Sequence, residues 1–338
     1  MLRSNTYKRV LVTGGAGCIG IPVCRLLRES GFEVVLFDLY EQVRMADSFL
    51  PSGVETFFGS ILDSSSIREA MRGCDAVIHL AAYLGVRRTE VNKLRCLDIN
   101  IDGTRNVLNA CVVSNIKKIV FASSSEVYGE PLINPIKETA ITQGKTVYAV
   151  SKLAGEELVK AYAEEFPSLN YTILRFFNTY GPNQIAQFVI PKFVRNFLSG
   201  TSPVIYGDGT QSRSYCFSED TGKGTVLALL NQTANKEVIN IGNSKELTSL
   251  VELAKLIQEV CDPERTIAIR NKGGFLGADR DEQREINARY CDTTKAAALL
   301  DFDPEVSLRE GIQRVVNHGV LSPKWATSER DYTLDDWV

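Results

Sequence analysis

The first half of the chain predicts an α/β fold: a doubly wound parallel sheet with a smaller α/β unit interleaved after it. Three observations carry this. Short apolar strands alternate with amphipathic helices, the first strand breaks into a glycine turn that opens a helix, and the second strand ends in an acid.

Val10-Leu11-Val12-Thr13 reads as the first buried strand, and glycine recurs at every third position after it, at Gly14, Gly17 and Gly20. Pro22 and the run Cys24–Arg28 then open a helix. Strand, glycine turn and helix together form an anion site, because a pyrophosphate can approach the backbone N–H groups and the positive end of the helix dipole. Glu33–Asp38 is a second buried strand, and its last residue lies about 20 positions beyond the glycines. A carboxylate there binds the 2′- and 3′-hydroxyls of an adenosine ribose and repels a 2′-phosphate, which favours NAD over NADP.

Residues 54–59 form a third strand, followed by a helix over 64–72 with Asp63 or Ser64 as its N-cap. Ala76–Leu80 is the fourth strand and runs into Ala81-Ala82; a long helix covers 94–114. Lys118–Ser123 is the fifth strand, 147–165 a further helix, and Tyr171–Phe176 the sixth strand. Ligands of such sheets sit beyond the carboxyl ends of the strands.

After residue 177 the chain becomes turn-rich, with helices at 190–198 and 250–260 and short strands at 204–205 and 238–241. The expected organisation is a dinucleotide-binding unit of residues 1–177 and 214–243, a cap over the ligand made of 178–213 and 244–325, and a polar tail at 326–338.

The 338 residues carry a net charge of −3 with no basic tract, so nucleic acid and membrane surfaces are not expected partners. No apolar run is long enough to span a bilayer, and Met1–Thr6 leads into the first strand without a signal peptide. Eight cysteines without a CxxC pair suit buried, reduced thiols in a cytoplasmic protein. With only two histidines no metal site is expected, and His79 reads as a core or cofactor-lining residue.

The helix after the fifth strand places Tyr148 and Lys152 on one face, four residues apart. A phenol with a pKa near 10 is a poor base. An adjacent ammonium and a positive nicotinamide are expected to lower that value, so that the phenolate takes a hydroxyl proton while a serine from the preceding strand end holds the same oxygen.

With these residues in view, the chain resembles the extended short-chain dehydrogenase/reductases, in their nucleotide-sugar epimerase/dehydratase branch, over residues 8–315. Thr13–Gly20 is similar to the TGxxGxxG turn, His79-Leu80-Ala81-Ala82 to the HxAA segment, and Arg175-Phe176-Phe177-Asn178 to the R-(Y/F)-F-N segment. Tyr206-Gly207-Asp208-Gly209 with Arg213 resembles the loop that holds the nucleotide diphosphate, and Asp292–Gly311 the closing segment. The resemblance implies a Rossmann-type fold, bound NAD, a nucleotide-diphosphate sugar as substrate, and a homodimer through the helices at 94–114 and 148–165. Leu153, Leu158 and Val159 fit that interface and equally fit packing on the sheet.

It implies Ser124, Tyr148 and Lys152 as catalytic residues, with Glu126 as a fourth. Implied cofactor contacts are Gly14, Gly17, Cys18, Ile19, Gly20, Asp38, Ser60, Ile61, Leu80, Ala81, Ala82, Asn100, Tyr148, Lys152 and Phe177. Implied substrate contacts are Ser124, Asn178 and Arg213. The chain departs from the family at Ser60, where an aspartate is usual, and at Ser214 of Arg213-Ser214-Tyr215. It also departs at Glu126. The 4-epimerases carry a small or neutral residue there, while 4,6-dehydratases and UDP-glucuronate decarboxylases carry an acid. Ser125 stands where dehydratases place an aspartate. The expected activity is NAD-dependent nucleotide-sugar epimerisation through a 4-keto sugar. The alternatives are a 4,6-dehydratase or UDP-glucuronate decarboxylase using Glu126, a reductase with exchangeable cofactor, and a non-catalytic NAD sensor.

Overall fold

The computed structural model describes residues 7–275 and 285–319; the expected tail at 326–338 and the end of the expected cap lie outside them. β1 (Arg9–Thr13) leads through the glycine turn into α1 (Gly20–Glu29), and β2 (Glu33–Asp38) into α2 (Tyr40–Ala46). β3 (Glu55–Phe58), α3 (Ser64–Ala70) and β4 (Ala76–His79) follow. Asp63 is the N-cap of α3, its carboxylate accepting from the amides of Ser65 and Ser66.

The long helix expected over 94–114 is interrupted. After α4 (Val86–Val91) come α5 (Lys93–Leu97), a π-helical turn at Asp98–Asp102, and α6 (Gly103–Val113). A π-turn inserts one residue into an otherwise helical apolar pattern, so 3.6-residue periodicity does not reveal it. β5 (Lys118–Ser124), α7 (Val147–Glu165), β6 (Asn170–Phe176), β7 (Thr179–Tyr180) and α8 (Val189–Leu198) continue the chain. Next come β8 (Val204–Tyr206), β9 (Ser212–Ser214), β10 (Cys216–Phe217), α9 (Ser218–Leu230) and β11 (Glu237–Ile241). The remainder comprises β12 (Leu247–Ser249), α10 (Leu250–Cys261), β13 (Arg270–Lys272), β14 (Ala288–Arg289), α11 (Thr294–Leu300) and α12 (Leu308–Gly319).

Seven strands form one parallel sheet in the order β11-β6-β5-β4-β1-β2-β3. Alternate residues of each strand enter opposite layers. Val10, Val12, Leu36 and Ile78 pack with α1 and α9, while Leu11, Val35, Val77 and Ile119 pack with α3, α6 and α7. Both faces are thus apolar, which is why the strands read as continuous hydrophobic runs. Each fully buried leucine or isoleucine contributes about 2 kcal/mol.

A second core joins Ile190, Phe193, Leu253, Ile257 and Ile312 of α8, α10 and α12, and a small sheet has the order β12-β9-β14. α11 leaves that core: Ala296, Leu300 and, just beyond the helix, Phe302 pack with Val226 of α9 and Ile239 of β11. All eight cysteines are free. Among the described residues no helix is long and apolar enough to cross a membrane.

Candidate active site

The strand order reverses on either side of β1, and there the carboxyl ends of the strands open into a cavity of about 800 Å³. At one end the glycine turn is closed against its neighbours. A β-carbon on Gly20 would stand 2.2 Å from the Gly14 carbonyl oxygen, and one on Gly14, whose φ is +69°, would stand 2.7 Å from the Ala81 amide nitrogen. Only glycine at both positions lets turn, helix and the segment after β4 meet. No side chain caps the N-terminus of α1; the Ile21 and Val23 amides bond to the Gly17 and Ile19 carbonyls and Pro22 has none, so an anion would meet the backbone of Cys18, Ile19 and Gly20, which line the cavity ahead of the helix dipole. Asp38 is held at the end of β2, accepting from the Ala16 amide at 3.0 Å and the Leu39 amide at 2.8 Å. Asn183 pins the turn from the other side through the Ala16 carbonyl at 3.0 Å. A closed glycine cradle and a fixed acid one strand away fit a dinucleotide. Gly14, Gly17, Cys18, Ile19, Gly20 and Asp38 would hold it, with Ser60, Ile61, Leu80, Ala81 and Ala82 on the same wall.

At the other end α7 presents Tyr148 and Lys152 to the cavity, opposite Ser124 and Glu126 at the end of β5. Ser124, close enough to the Tyr148 phenol to oppose part of the rise in its pKa, accepts from the Glu126 amide at 3.2 Å. Glu126 accepts from Thr146 at 3.1 Å, and Thr146 also caps α7. Lys152 donates to the Ala122 carbonyl at 2.8 Å, and burial brings its pKa down to about 8. The expected lowering of the Tyr148 pKa is not found. Burial, reinforced by the Glu126 carboxylate, raises it, and the Lys152 ammonium lies 5.8 Å from the ring. The chain's own side chains therefore keep this phenol protonated.

Sixteen of the nineteen residues that the sequence nominated line this cavity; Asn100, Phe177 and Arg213 do not. Asn100, in the π-turn, spends its amide on the backbone of Tyr83, accepting from N–H at 2.7 Å and donating to C=O at 3.0 Å. Phe177 is fully buried against Tyr128 and Ile136, while its neighbour Phe176 faces the ligand space, as strand alternation requires. Arg213 is paired with Glu285 at 2.9 Å. His79 is a core residue. It bridges Thr13 and Thr104 at 2.7 and 3.1 Å, and burial drives its pKa down to about 3.

The structure adds Arg289, which no motif announces. β14 pairs in parallel with β9 and brings Arg289 onto the cavity wall, 3.9 Å from Glu126. Its side chain is 6% exposed and that of Glu126 17%. Tyr83, stacked under Arg88 at 4.0 Å, forms part of the same wall.

Comparison with known proteins agrees with this geometry. The NAD dependent epimerase/dehydratase family matches residues 10–242. A UDP-N-acetyl-alpha-D-glucosaminuronate decarboxylase from Bacillus cytotoxicus is 34% identical over 91% of this chain and 97% of its own. The Thermotoga maritima UDP-glucose 4-epimerase, solved with UDP-glucose, is 29% identical with a TM-score of 0.82, covering 93% of this chain and 99% of the other. The Bacillus cereus UDP-glucuronic acid 4-epimerase, solved with UDP-glucuronic acid and NAD, is 28% identical with a TM-score of 0.82, covering 92% and 98%. Fold, cradle and relatives agree: the chain is an NAD-dependent enzyme of the nucleotide-sugar epimerase/dehydratase family.

Proposed function

We propose that the enzyme oxidises C4 of a nucleotide-diphosphate hexuronate and then releases its C6 carboxylate as carbon dioxide. The observation that carries this reading is Arg289 beside Glu126 at the Tyr148 end of the cavity. A buried ion pair adds little net stability, so its place on a cavity wall argues for work on a ligand. The Arg289 guanidinium attracts a sugar carboxylate and matches its planar geometry.

Tyr148 takes the proton of the C4 hydroxyl, and Ser124 holds the same oxygen. When bound, NAD accepts the C4 hydrogen with its electron pair and later returns it, and its positive ring lowers the phenol pKa. The C6 carboxylate is then β to a ketone. Its bond to C5 breaks, the electron pair passes into the C4–C5 enolate, and Glu126 is the group placed to direct a proton back to C5. Dehydration is less well supported, because Ser125 offers no acid for a departing hydroxyl. Epimerisation at C4 of the same uronate is the second reading. The solved epimerase with UDP-glucuronic acid favours it.

The test is product analysis by NMR and mass spectrometry with UDP-glucuronate, UDP-N-acetylglucosaminuronate and UDP-glucose. Loss of carbon dioxide from a uronate supports the proposal. Inversion at C4 with unchanged mass supports the second reading. Turnover of the neutral sugar alone overturns both.

The proposal extends to a reducing, cytoplasmic setting, supported by the eight free cysteines. It extends also to a homodimer through α5 and α7, supported by Leu94 and Val150, which are 76% and 47% exposed. Leu153 and Val159 pack within the chain instead. The two-unit division is kept, with 294–302 moved to the NAD-binding unit.

A further inference from the structure

Tyr148, Lys152 and Glu156 occupy successive turns of one face of α7. Glu156 is 1% exposed and does not line the cavity. It grips Arg175 of β6 with both oxygens, at 2.9 and 2.8 Å, and accepts the Ser123 hydroxyl at 2.5 Å. Arg175 in turn donates to the Tyr128 hydroxyl at 3.0 Å and to the Glu138 carbonyl at 3.2 Å, and Tyr128 donates to Asn240 of β11 at 2.7 Å. Ser123 directly precedes Ser124, and the carbonyl of Ala122 before it accepts from Lys152. Two side chains of α7 thus hold the last turn of β5 that carries Ser124.

We infer that Glu156 is a positioning residue: with Arg175 it sets, through Ser123, the distance between the Ser124 hydroxyl and the Tyr148 phenol. The inference rests on Tyr148 and Ser124 acting on the sugar as proposed above. A buried bidentate pair is a rigid spacer, because the planar guanidinium fork allows one register only. A purely structural pair would need neither the serine nor its link to the strand end beside the reacting oxygen.

The test compares Ser123→Ala, Glu156→Asp, Glu156→Gln and Tyr148→Phe. It reads kcat and KM for the nucleotide sugar, bound NAD content and melting temperature. Ser123→Ala leaves the ion pair intact and cuts only the link. It is expected to lower kcat by roughly tenfold to a hundredfold, the cost of a small misplacement, with KM and NAD content unchanged. Glu156→Gln is expected to lower kcat at least as much, and Glu156→Asp to recover part of it. Should Glu156→Gln fail to fold, Ser123→Ala still decides. Wild-type kcat in Ser123→Ala with a lowered melting temperature in Glu156→Gln would overturn the inference and leave a structural pair. If Tyr148→Phe keeps full activity, the underlying reading of the site fails instead, so the two failures are distinguishable.

Discussion

Replacing Gly20 by alanine tests the cofactor cradle where it is least able to yield. The new β-carbon would meet the Gly14 carbonyl oxygen at 2.2 Å and the Gly15 Cα at 2.6 Å. Both are backbone atoms of the turn, so no side chain can rotate away. Forcing a methyl group into a packed site costs about 1–3 kcal/mol. Alanine recovers up to about 1 kcal/mol as a better helix former. With the full recovery the net loss is up to about 2 kcal/mol, which lowers the melting temperature by up to about 3 °C for a chain of 338 residues.

Relief of the contact moves the turn away from α1, and the cradle opens. If this weakens NAD binding by about 1.4 kcal/mol, Kd rises tenfold. At 100 times the wild-type Kd, NAD stabilises the wild type by about 2.7 kcal/mol and the variant by only about 1.4 kcal/mol. Thermal denaturation of NAD-stripped protein across a cofactor titration reads both effects. A variant whose melting temperature and NAD-dependent shift both equal those of the wild type would refute the argument from the cradle.

Asp38→Asn removes the charge that repels a 2′-phosphate, an interaction worth a few kcal/mol near a protein surface; fluorescence titration should show the NADH-over-NADPH preference falling at least tenfold. Retention of the full preference would remove Asp38 from the ribose site. Arg289→Met should raise KM for UDP-glucuronate by roughly tenfold to a hundredfold and leave that for UDP-glucose within twofold. An equal change for both sugars would refute its role as carboxylate receptor. Lys118, buried and donating to the carbonyls of Ala228 and Asn231, has its pKa lowered to about 8 by burial. Its charged form is disfavoured in the folded state, so its destabilising effect is full below pH 8 and is relieved between pH 8 and about 10.4, where only the unfolded chain binds the proton. The wild-type stability minus that of Lys118→Met should therefore rise by about 3 kcal/mol across that window, measured by denaturant unfolding. A flat difference would show that the amine is not desolvated.

What the sequence discloses is local. The turn from Thr13 to Gly20, the acid ending β2, and Tyr148 with Lys152 lie within single strand–helix units, where spacing maps directly onto one face or one turn. Arg289 reaches the site only because β14 pairs with β9, a contact between segments over seventy residues apart that periodicity does not encode. Asn100 and Phe177 stand in the segments expected, but their side chains turn away from the cavity wall. In each case one helical or strand step decides whether a side chain faces the ligand space or the layer beneath it. Arg213 turns to Glu285, a partner from the far end of the chain. The direction of the Tyr148 pKa escaped as well, because desolvation depends on what covers the ring and not on which residue stands four positions away.

The clamp of Asn100 on Tyr83 bears on how fast this wall of the cavity breathes. The Tyr83 amide lies in a segment without regular structure, where solvent would ordinarily replace its proton quickly. Sealed by a buried carboxamide, it can exchange only when the π-turn and the wall separate, so deuterium uptake at this one amide should be as slow as in the neighbouring strand β4. Mass-resolved exchange at Tyr83 thus clocks the opening of the cavity from inside, and replacing Asn100 by alanine should turn the slow amide into a fast one.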